Sequence, residues 1–89
     1  MVELVKDWAL SPDGKAWHRS FRFRDFNQAF GFMARIAVVA ETMDHHPDWR
    51  NNWNVVEITL STHSAGGITQ RDADLAQKIN EIHALVSKE

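Results

Sequence analysis

The spacing of hydrophobic residues changes period three times along this chain of 89 residues, and this restricts the possible fold more than any other feature. Apolar and polar residues alternate over 16–23, apolar residues recur every three or four positions over 25–43, alternation returns over 54–61, and helical spacing resumes from residue 68. A period of two predicts a half-buried strand, and a period near 3.6 predicts an amphipathic helix. A chain of this length is expected to form one domain, spanning residues 1–89.

The N-terminal part of the chain predicts a hairpin. Residues 5–11 and 16–23 are the expected strands, and Ser11-Pro12-Asp13-Gly14 supplies a turn because Pro fixes φ, Asp bonds the local backbone and Gly tolerates positive φ. Three large rings of the second strand are expected to point inward: Trp17, Phe21 and Phe23. Arg19 interrupts this alternation and is expected near a sheet edge.

Capping signals mark where both helices begin. Asp25 and Gln28 have the spacing of a capping box at the start of the first helix, which we predict over about 25–43. Thr69 and Asp72 have the same spacing at the start of the second helix, so Asp72 is expected to be a helix cap rather than a catalyst. The predicted buried stripe of the second helix is Leu75, Ala76, Ile79, Ile82 and Val86.

The first helix carries more apolar residues than one stripe needs. We expect it to bury Phe26, Ala29, Phe30, Met33, Ile36, Ala37, Ala40 and Met43. Phe32 and Val39 lie off that stripe, so they are expected either to pack on a second helix or a partner subunit, or to be scattered surface residues.

A polar segment follows Pro47, which prevents the first helix from continuing far beyond residue 45. Residues 48–52 are predicted to be a connection or a short strand. With that strand the element order is β-β-α-β-β-α. The expected fold class is therefore α+β, with two layers: an antiparallel four-stranded sheet and helices packed on one face.

Composition excludes several classes of function. The formal net charge is −2 and no basic block is present, so a direct nucleic-acid interface is not expected. The chain has no cysteine, which excludes disulfides and thiolate metal sites. Neither a signal-like N-terminus nor a membrane-spanning run is evident, so we expect a cytoplasmic protein without a membrane partner.

Three of the five histidines are His45, His46 and His63, and they flank the change from the helical pattern to the strand pattern. Imidazole titrates near neutral pH, so this cluster indicates acid–base chemistry. Glu41 lies four residues before His45, a helical spacing that would let its carboxylate support that imidazole. A three-histidine zinc site is the alternative, but adjacent histidines rarely face one ion, and we expect no metal.

The pattern Glu41-x3-His45-His46-Pro47, five residues, Trp53, nine residues, His63, eight residues, Asp72 resembles the signature of the pterin-4a-carbinolamine dehydratase family. Segments 23–33 and 60–63 are similar to that family as well. The resemblance implies removal of water from a pterin substrate, 4a-hydroxytetrahydropterin, in the recycling of tetrahydropterin for aromatic amino-acid hydroxylases. It implies no cofactor and no metal.

Matched by position, the resemblance implies that His45 and His63 are the catalytic acid–base pair, without saying which is the acid. It implies a second set of substrate-binding residues: His46, Glu41, Trp8 and Arg71. Members usually begin with a helix before the segment that contains Trp8, and here only seven residues precede Trp8, so we predict that this helix is absent or reduced to a turn.

Relatives also suggest an alternative function and an oligomer. Members serve as a dimerisation cofactor of a homeodomain transcription factor or as assembly factors for a carbon-fixing enzyme, so a non-enzymatic binding or assembly module is the alternative. Members form dimers or tetramers. The small core expected of 89 residues also favours a homo-oligomer.

Overall fold

A computed structural model describes residues 2–89, and the structural statements below refer to this part of the chain. Its elements are β1 (Ala9–Leu10), β2 (Trp17–Arg22), α1 (Phe26–Met43), β3 (Asp48–Asn52), β4 (Val55–Leu60), a 3₁₀ turn (His63–Ala65) and α2 (Gln70–Val86). The strands form one antiparallel sheet in the order β1-β2-β4-β3. The predicted α+β class with four antiparallel strands is confirmed.

One face of the sheet forms the core because large side chains of β2 and β4 lie opposite each other. Trp17 pairs with Leu60 and Phe21 pairs with Val56, and all four are buried. Segment 48–52, predicted as either a connection or a strand, is a strand that pairs with β4 along its whole length. Both helices contribute to the same buried cluster as this sheet face.

The first predicted strand is much shorter than expected. Only Ala9–Leu10 of residues 5–11 is a strand, because Asp7 adopts a φ of 73° and the Trp8 amide donates to the Val5 carbonyl at 3.1 Å. Residues 2–8 contain this turn and no helix. The turn directs the Trp8 ring into the core, where it packs edge-on against Phe21 with 6.2 Å between the ring centroids.

Arg19 lies where the pairing of β1 with β2 has ended, as expected of a residue near an edge. Its side chain nevertheless turns toward the helices. The guanidinium lies 4.4 Å from the centroid of the Phe21 ring and donates to Asn80 Oδ1 at 2.6 Å. This explains how a cation interrupts the alternation of an otherwise buried strand face.

The buried face of α1 differs from the prediction. The helix buries Gln28, Ala29, Phe32, Ile36 and Ala40. Phe26 and Phe30, expected inside, are 50% and 58% exposed. Phe32, expected off the stripe, is fully buried, with its ring centroid 4.8 Å from those of Phe21 and Phe23. Both sets of residues satisfy helical spacing, and the aromatic face of the sheet selects the one that packs.

The predicted boundaries and the second helix are confirmed. The Asp25 side chain accepts from the Gln28 amide, and Thr69 and Asp72 form a complete capping box. The predicted stripe of α2 is buried, with Ile82 partly so. None of the helices within residues 2–89 is long and apolar enough to cross a membrane.

Candidate active site

The end of α1 determines where His45 lies. Asp44 adopts the left-handed conformation, with φ of 51°, and its amide donates to the Ala40 and Glu41 carbonyls. The His45 amide also donates to the Ala40 carbonyl, at 3.1 Å. This closes the helix as a left-handed C-cap. The backbone therefore leaves the helical path one residue before His45, and the four-residue spacing from Glu41 no longer places the two side chains together.

His45 instead bonds a residue 27 positions further along the chain. Its Nε2 lies 2.7 Å from Asp72 Oδ1. The His45 side chain is 7% exposed and that of Asp72 is 0% exposed, so this contact is shielded from solvent. The expectation that Glu41 supports His45 is wrong, and the carboxylate in that position belongs to Asp72.

The second oxygen of Asp72 connects this pair to the loop that carries His63. Asp72 Oδ2 accepts from Thr62 Oγ1 at 2.7 Å and from the Thr69 amide at 2.9 Å. Thr62 is buried and directly precedes His63, which is exposed at the start of the 3₁₀ turn. One buried carboxylate therefore joins the end of α1, the loop after β4 and the start of α2.

The loop that presents His63 is closed by backbone bonds. The Thr62 amide donates to the Gly67 carbonyl at 2.8 Å, and the Gly66 amide donates to the His63 carbonyl at 3.1 Å. Gly66 has a φ of 68°, the left-handed region that glycine adopts at little cost. His63 is exposed because the inward alternation of β4 continues to Thr62 and leaves the next residue outside.

His46 forms a second imidazole–carboxylate pair in different surroundings. Its Nε2 lies 2.8 Å from Glu41 Oε1, and the two side chains are 58% and 81% exposed. Glu41 therefore contacts His46 rather than His45. Water competes freely for both partners, so this pair is much less constrained than the buried one.

The structure brings Arg71 to this end of the molecule but leaves Trp8 elsewhere. Arg71, in the first turn of α2, donates to the Asp44 carbonyl beside His45. Trp8 Nε1 donates to Asn80 Oδ1 at 2.9 Å, about two helical turns further along α2 than Asp72. Because the Trp8 ring is 4% exposed, a ligand would meet its edge at most.

The arrangement suits proton transfer between side chains and a bound molecule. It combines a shielded imidazole held by a carboxylate, two exposed imidazoles and a guanidinium at the junction of two helix ends. Within residues 2–89, no group of three His, Asp or Glu side chains is placed to hold a metal ion. The His45–Asp72 contact was missed from sequence. The only local signal was the Asp72 cap, which does not reveal a second partner.

Comparisons with known proteins show the family of this chain. Residues 1–82 match the sequence profile of the family described as "Pterin 4 alpha carbinolamine dehydratase". A protein of Afipia carboxidovorans, named "Putative pterin-4-alpha-carbinolamine dehydratase", is 61% identical over 84 residues, covering 94% of this chain and 83% of that protein. A protein with the same name from Rhodopseudomonas palustris (strain BisB18) is 54% identical over 80 residues, covering 90% and 79%.

Solved structures share the fold. A crystal structure described as a transcriptional coactivator/pterin dehydratase from Brucella melitensis has a TM-score of 0.85 and 47% identity, covering 88% of this chain and 83% of that one. A pterin dehydratase-like protein, described as a RuBisCO assembly factor in the alpha-carboxysome, has a TM-score of 0.75 at 18% identity, covering 86% and 89%, which is a likeness of fold alone. The chain belongs to the pterin 4 alpha carbinolamine dehydratase family.

Proposed function

We propose that this protein removes water from 4a-hydroxytetrahydropterin to give quinonoid dihydropterin. The observation that carries the proposal is the Asp72 carboxylate, which contacts the His45 ring with one oxygen and the Thr62 hydroxyl with the other, each at 2.7 Å. The two imidazoles that would exchange protons with substrate, those of His45 and His63, belong to the segments that this carboxylate joins.

The chemistry requires two proton transfers. A proton must reach the leaving 4a-hydroxyl, and another must leave a ring nitrogen of the pterin. Imidazole suits both steps near neutral pH, and each positioned group of this kind contributes about 10²–10⁴-fold in rate. Family membership and the two histidines support this reading, and the two transfers call for neither a metal nor a redox cofactor.

The remaining family positions have unequal support as substrate-binding residues. Arg71 and the exposed His46–Glu41 pair lie close in sequence or by contact to His45, so we assign them to substrate binding. Trp8 is not included, because its ring is buried and tied to Asn80. The proposed setting is the recycling of tetrahydropterin for aromatic amino-acid hydroxylases in the cytoplasm.

The test compares dehydration rates of freshly generated 4a-hydroxytetrahydropterin, followed by the absorbance of quinonoid dihydropterin. Wild type is expected to exceed the buffer rate, and His45→Ala and His63→Ala are each expected to lose about 10²–10⁴-fold in kcat. His18→Ala is the matched control, because this imidazole lies on the open face of the sheet and, among residues 2–89, bonds only Thr59 Oγ1, at 3.2 Å. A wild-type rate equal to that of buffer would reject the proposal.

We also infer that the protein self-associates as a dimer or tetramer. Phe26, Phe30 and Val38 are at least half exposed on the outer side of α1, an apolar surface that a monomer leaves in water. The face differs from the predicted Phe32 and Val39 pair, of which Phe32 is sealed in the core. Sedimentation at micromolar concentration measures the state, and a monomer throughout would contradict the inference.

The same surface is what favours the second candidate function, a binding or assembly module. An exposed apolar stripe on a helix could receive another protein rather than a second copy of this chain. The two readings differ in activity: a module without chemistry would show the buffer rate with pterin substrate while its fold remained intact.

A further inference from the structure

The hydrogen bonds around Asp72 show which partner donates and which accepts in the His45–Asp72 contact. An ionised carboxylate only accepts hydrogen bonds. Oδ2 accepts from the Thr69 amide, which can only donate, and from the Thr62 hydroxyl, which has a second hydroxyl partner in Thr69 at 2.8 Å. Oδ1 faces His45 Nε2 alone, at 2.7 Å.

That direction determines which nitrogen of His45 carries the proton. A neutral imidazole has one N–H donor and one lone-pair acceptor, and the partner of one nitrogen decides the state of the other. Since Asp72 accepts, Nε2 is the donor. Nδ1 is then the nitrogen with the free lone pair in the neutral ring.

The surroundings of His45 Nδ1 are consistent with a role as a proton acceptor. Nδ1 has no hydrogen-bond partner in residues 2–89, and the one side-chain polar atom there that is both sealed from solvent and unpartnered is Asn54 Oδ1. Nδ1 of His45 therefore retains contact with solvent, although 93% of the side chain is covered. The ring is held through Nε2, and Nδ1 is the nitrogen that solvent can reach.

We propose that Asp72 is a positioning residue that fixes His45 as the Nε2–H tautomer and thereby makes Nδ1 of His45 the atom that accepts the proton from the pterin ring nitrogen. This rests on the proposed dehydratase function. His63, which has no carboxylate partner among residues 2–89, would be the donor.

The proton and electron balance follows from that assignment. The C4a–O bond breaks and its electron pair leaves with oxygen, which takes a proton from the His63 imidazolium to form water. The lone pair of the adjacent ring nitrogen forms the new C=N bond, and that nitrogen loses its proton to Nδ1 of His45. Solvent then removes the proton from His45 and returns one to the exposed His63.

Asp72→Asn tests the tautomer with almost no change in shape. The amide oxygen is expected to keep the Thr69 and Thr62 bonds, because both of those groups donate, and the NH₂ group then faces His45 Nε2. A donor at that position requires a lone pair on Nε2 and moves the ring proton to Nδ1. A comparable substitution in a serine protease triad lowers kcat by about 10⁴ through the wrong tautomer, although its geometry is intact.

The readout is the protonation of each His45 nitrogen, observed in long-range ¹H–¹⁵N spectra of the neutral ring without substrate. We expect the proton on Nε2 in wild type and on Nδ1 in Asp72→Asn, with kcat reduced by about 10²-fold or more and KM changed much less. Asp74→Asn is the matched control, because this exposed carboxylate in the same helical turn bonds Gln70 Nε2 and no other side chain in the described part of the chain.

Wild-type spectra with the proton on Nδ1 would overturn the proposal, even if Asp72→Asn fails to fold. Unchanged kcat in a folded Asp72→Asn would overturn it as well. An inactive wild type would reject the dehydratase function and the role toward substrate together, and the spectra would still show whether Asp72 sets the tautomer.

Discussion

Two imidazole–carboxylate pairs of nearly equal length behave differently because of where they lie. The His45–Asp72 and His46–Glu41 contacts measure 2.7 and 2.8 Å. Asp72 is 0% exposed and has hydrogen-bond partners on both oxygens, whereas Glu41 is 81% exposed and open to water. At the residue scale, contact length therefore does not rank the two pairs, and solvent access does.

Glu41→Gln is accordingly expected to have a small effect. An exposed pair contributes at most about 1 kcal/mol, so the free energy of unfolding should change by less than that and KM should rise by less than about tenfold. Steady-state kinetics and urea unfolding measure the two quantities. Glu57→Gln, which removes a partly exposed carboxylate paired with Arg50 on the open sheet face, is the control. A loss of kcat in Glu41→Gln as large as in Asp72→Asn would contradict the ranking.

The sequence predicted which residues lie at the candidate site better than it predicted which of their side chains contact each other. His45, His46 and Arg71 are expected at the candidate site from sequence and lie at the same end of the molecule. Glu41 is the partner that helical spacing predicts for His45, and this spacing holds only while the helix continues. Asp44 ends the helix by adopting a left-handed conformation, so the prediction fails at His45. A contact across 27 residues depends on how α1 meets α2, which no local pattern encodes.

At the scale of the elements, α1 presents two apolar faces with opposite roles. Phe32 contacts the rings of Phe21 and Phe23, while Phe30 contacts Phe26 at a centroid distance of 6.1 Å and is 58% exposed. Which face is buried could not be read from periodicity, because both satisfy it. The helix boundaries could be predicted from sequence, because the residues that form a cap lie within a few positions of each other.

The two phenylalanines make a matched pair of variants. Phe32→Ala is expected to lower the free energy of unfolding by about 3–5 kcal/mol, because it leaves a cavity among packed rings. Phe30→Ala should change the stability of the monomer by no more than about 0.5 kcal/mol. Phe30→Ala should, however, weaken self-association in sedimentation experiments. Equal destabilisation by both changes in the monomer would show that α1 is rotated differently.

At the scale of the whole molecule, the amide of Asn80 holds the N-terminal segment against the domain. Its Oδ1 accepts from Trp8 and Arg19, and its Nδ2 donates to the Lys6 carbonyl at 3.1 Å. Periodicity predicted the element order and the sheet, but not this arrangement. The first strand was overestimated because the burial of Trp8, a tertiary event, turns the backbone at Asp7.

His83 lies beside this junction and makes stability depend on pH. Burial, and secondarily the Arg19 guanidinium, hold the pKa of His83 below its ordinary value of about 6.5, while the Asp7 carboxylate acts in the opposite direction. As pH falls below about 6.5, the unfolded chain binds a proton that the folded chain does not yet accept. Stability is therefore lost as pH falls from that value toward the folded pKa.

The free energy of unfolding of wild type and His83→Gln, measured by urea titration across this pH window, tests the effect. The slope of unfolding free energy against pH should be smaller in His83→Gln. All other histidines are common to the two chains, so the difference in slope isolates His83. Parallel curves would mean that the ring accepts its proton equally well when folded.

The double use of Asp72 has a consequence for how this site can vary. The same carboxylate that orients the His45 ring also completes the capping box of α2. An amide at this position would keep the cap but present a donor to His45, whereas an apolar side chain would lose both contacts, so helix initiation restricts position 72 less than proton chemistry does. A relative that has lost the reaction would still need an acidic or amide side chain at this position to cap α2. An aspartate at this position is therefore not by itself evidence of activity.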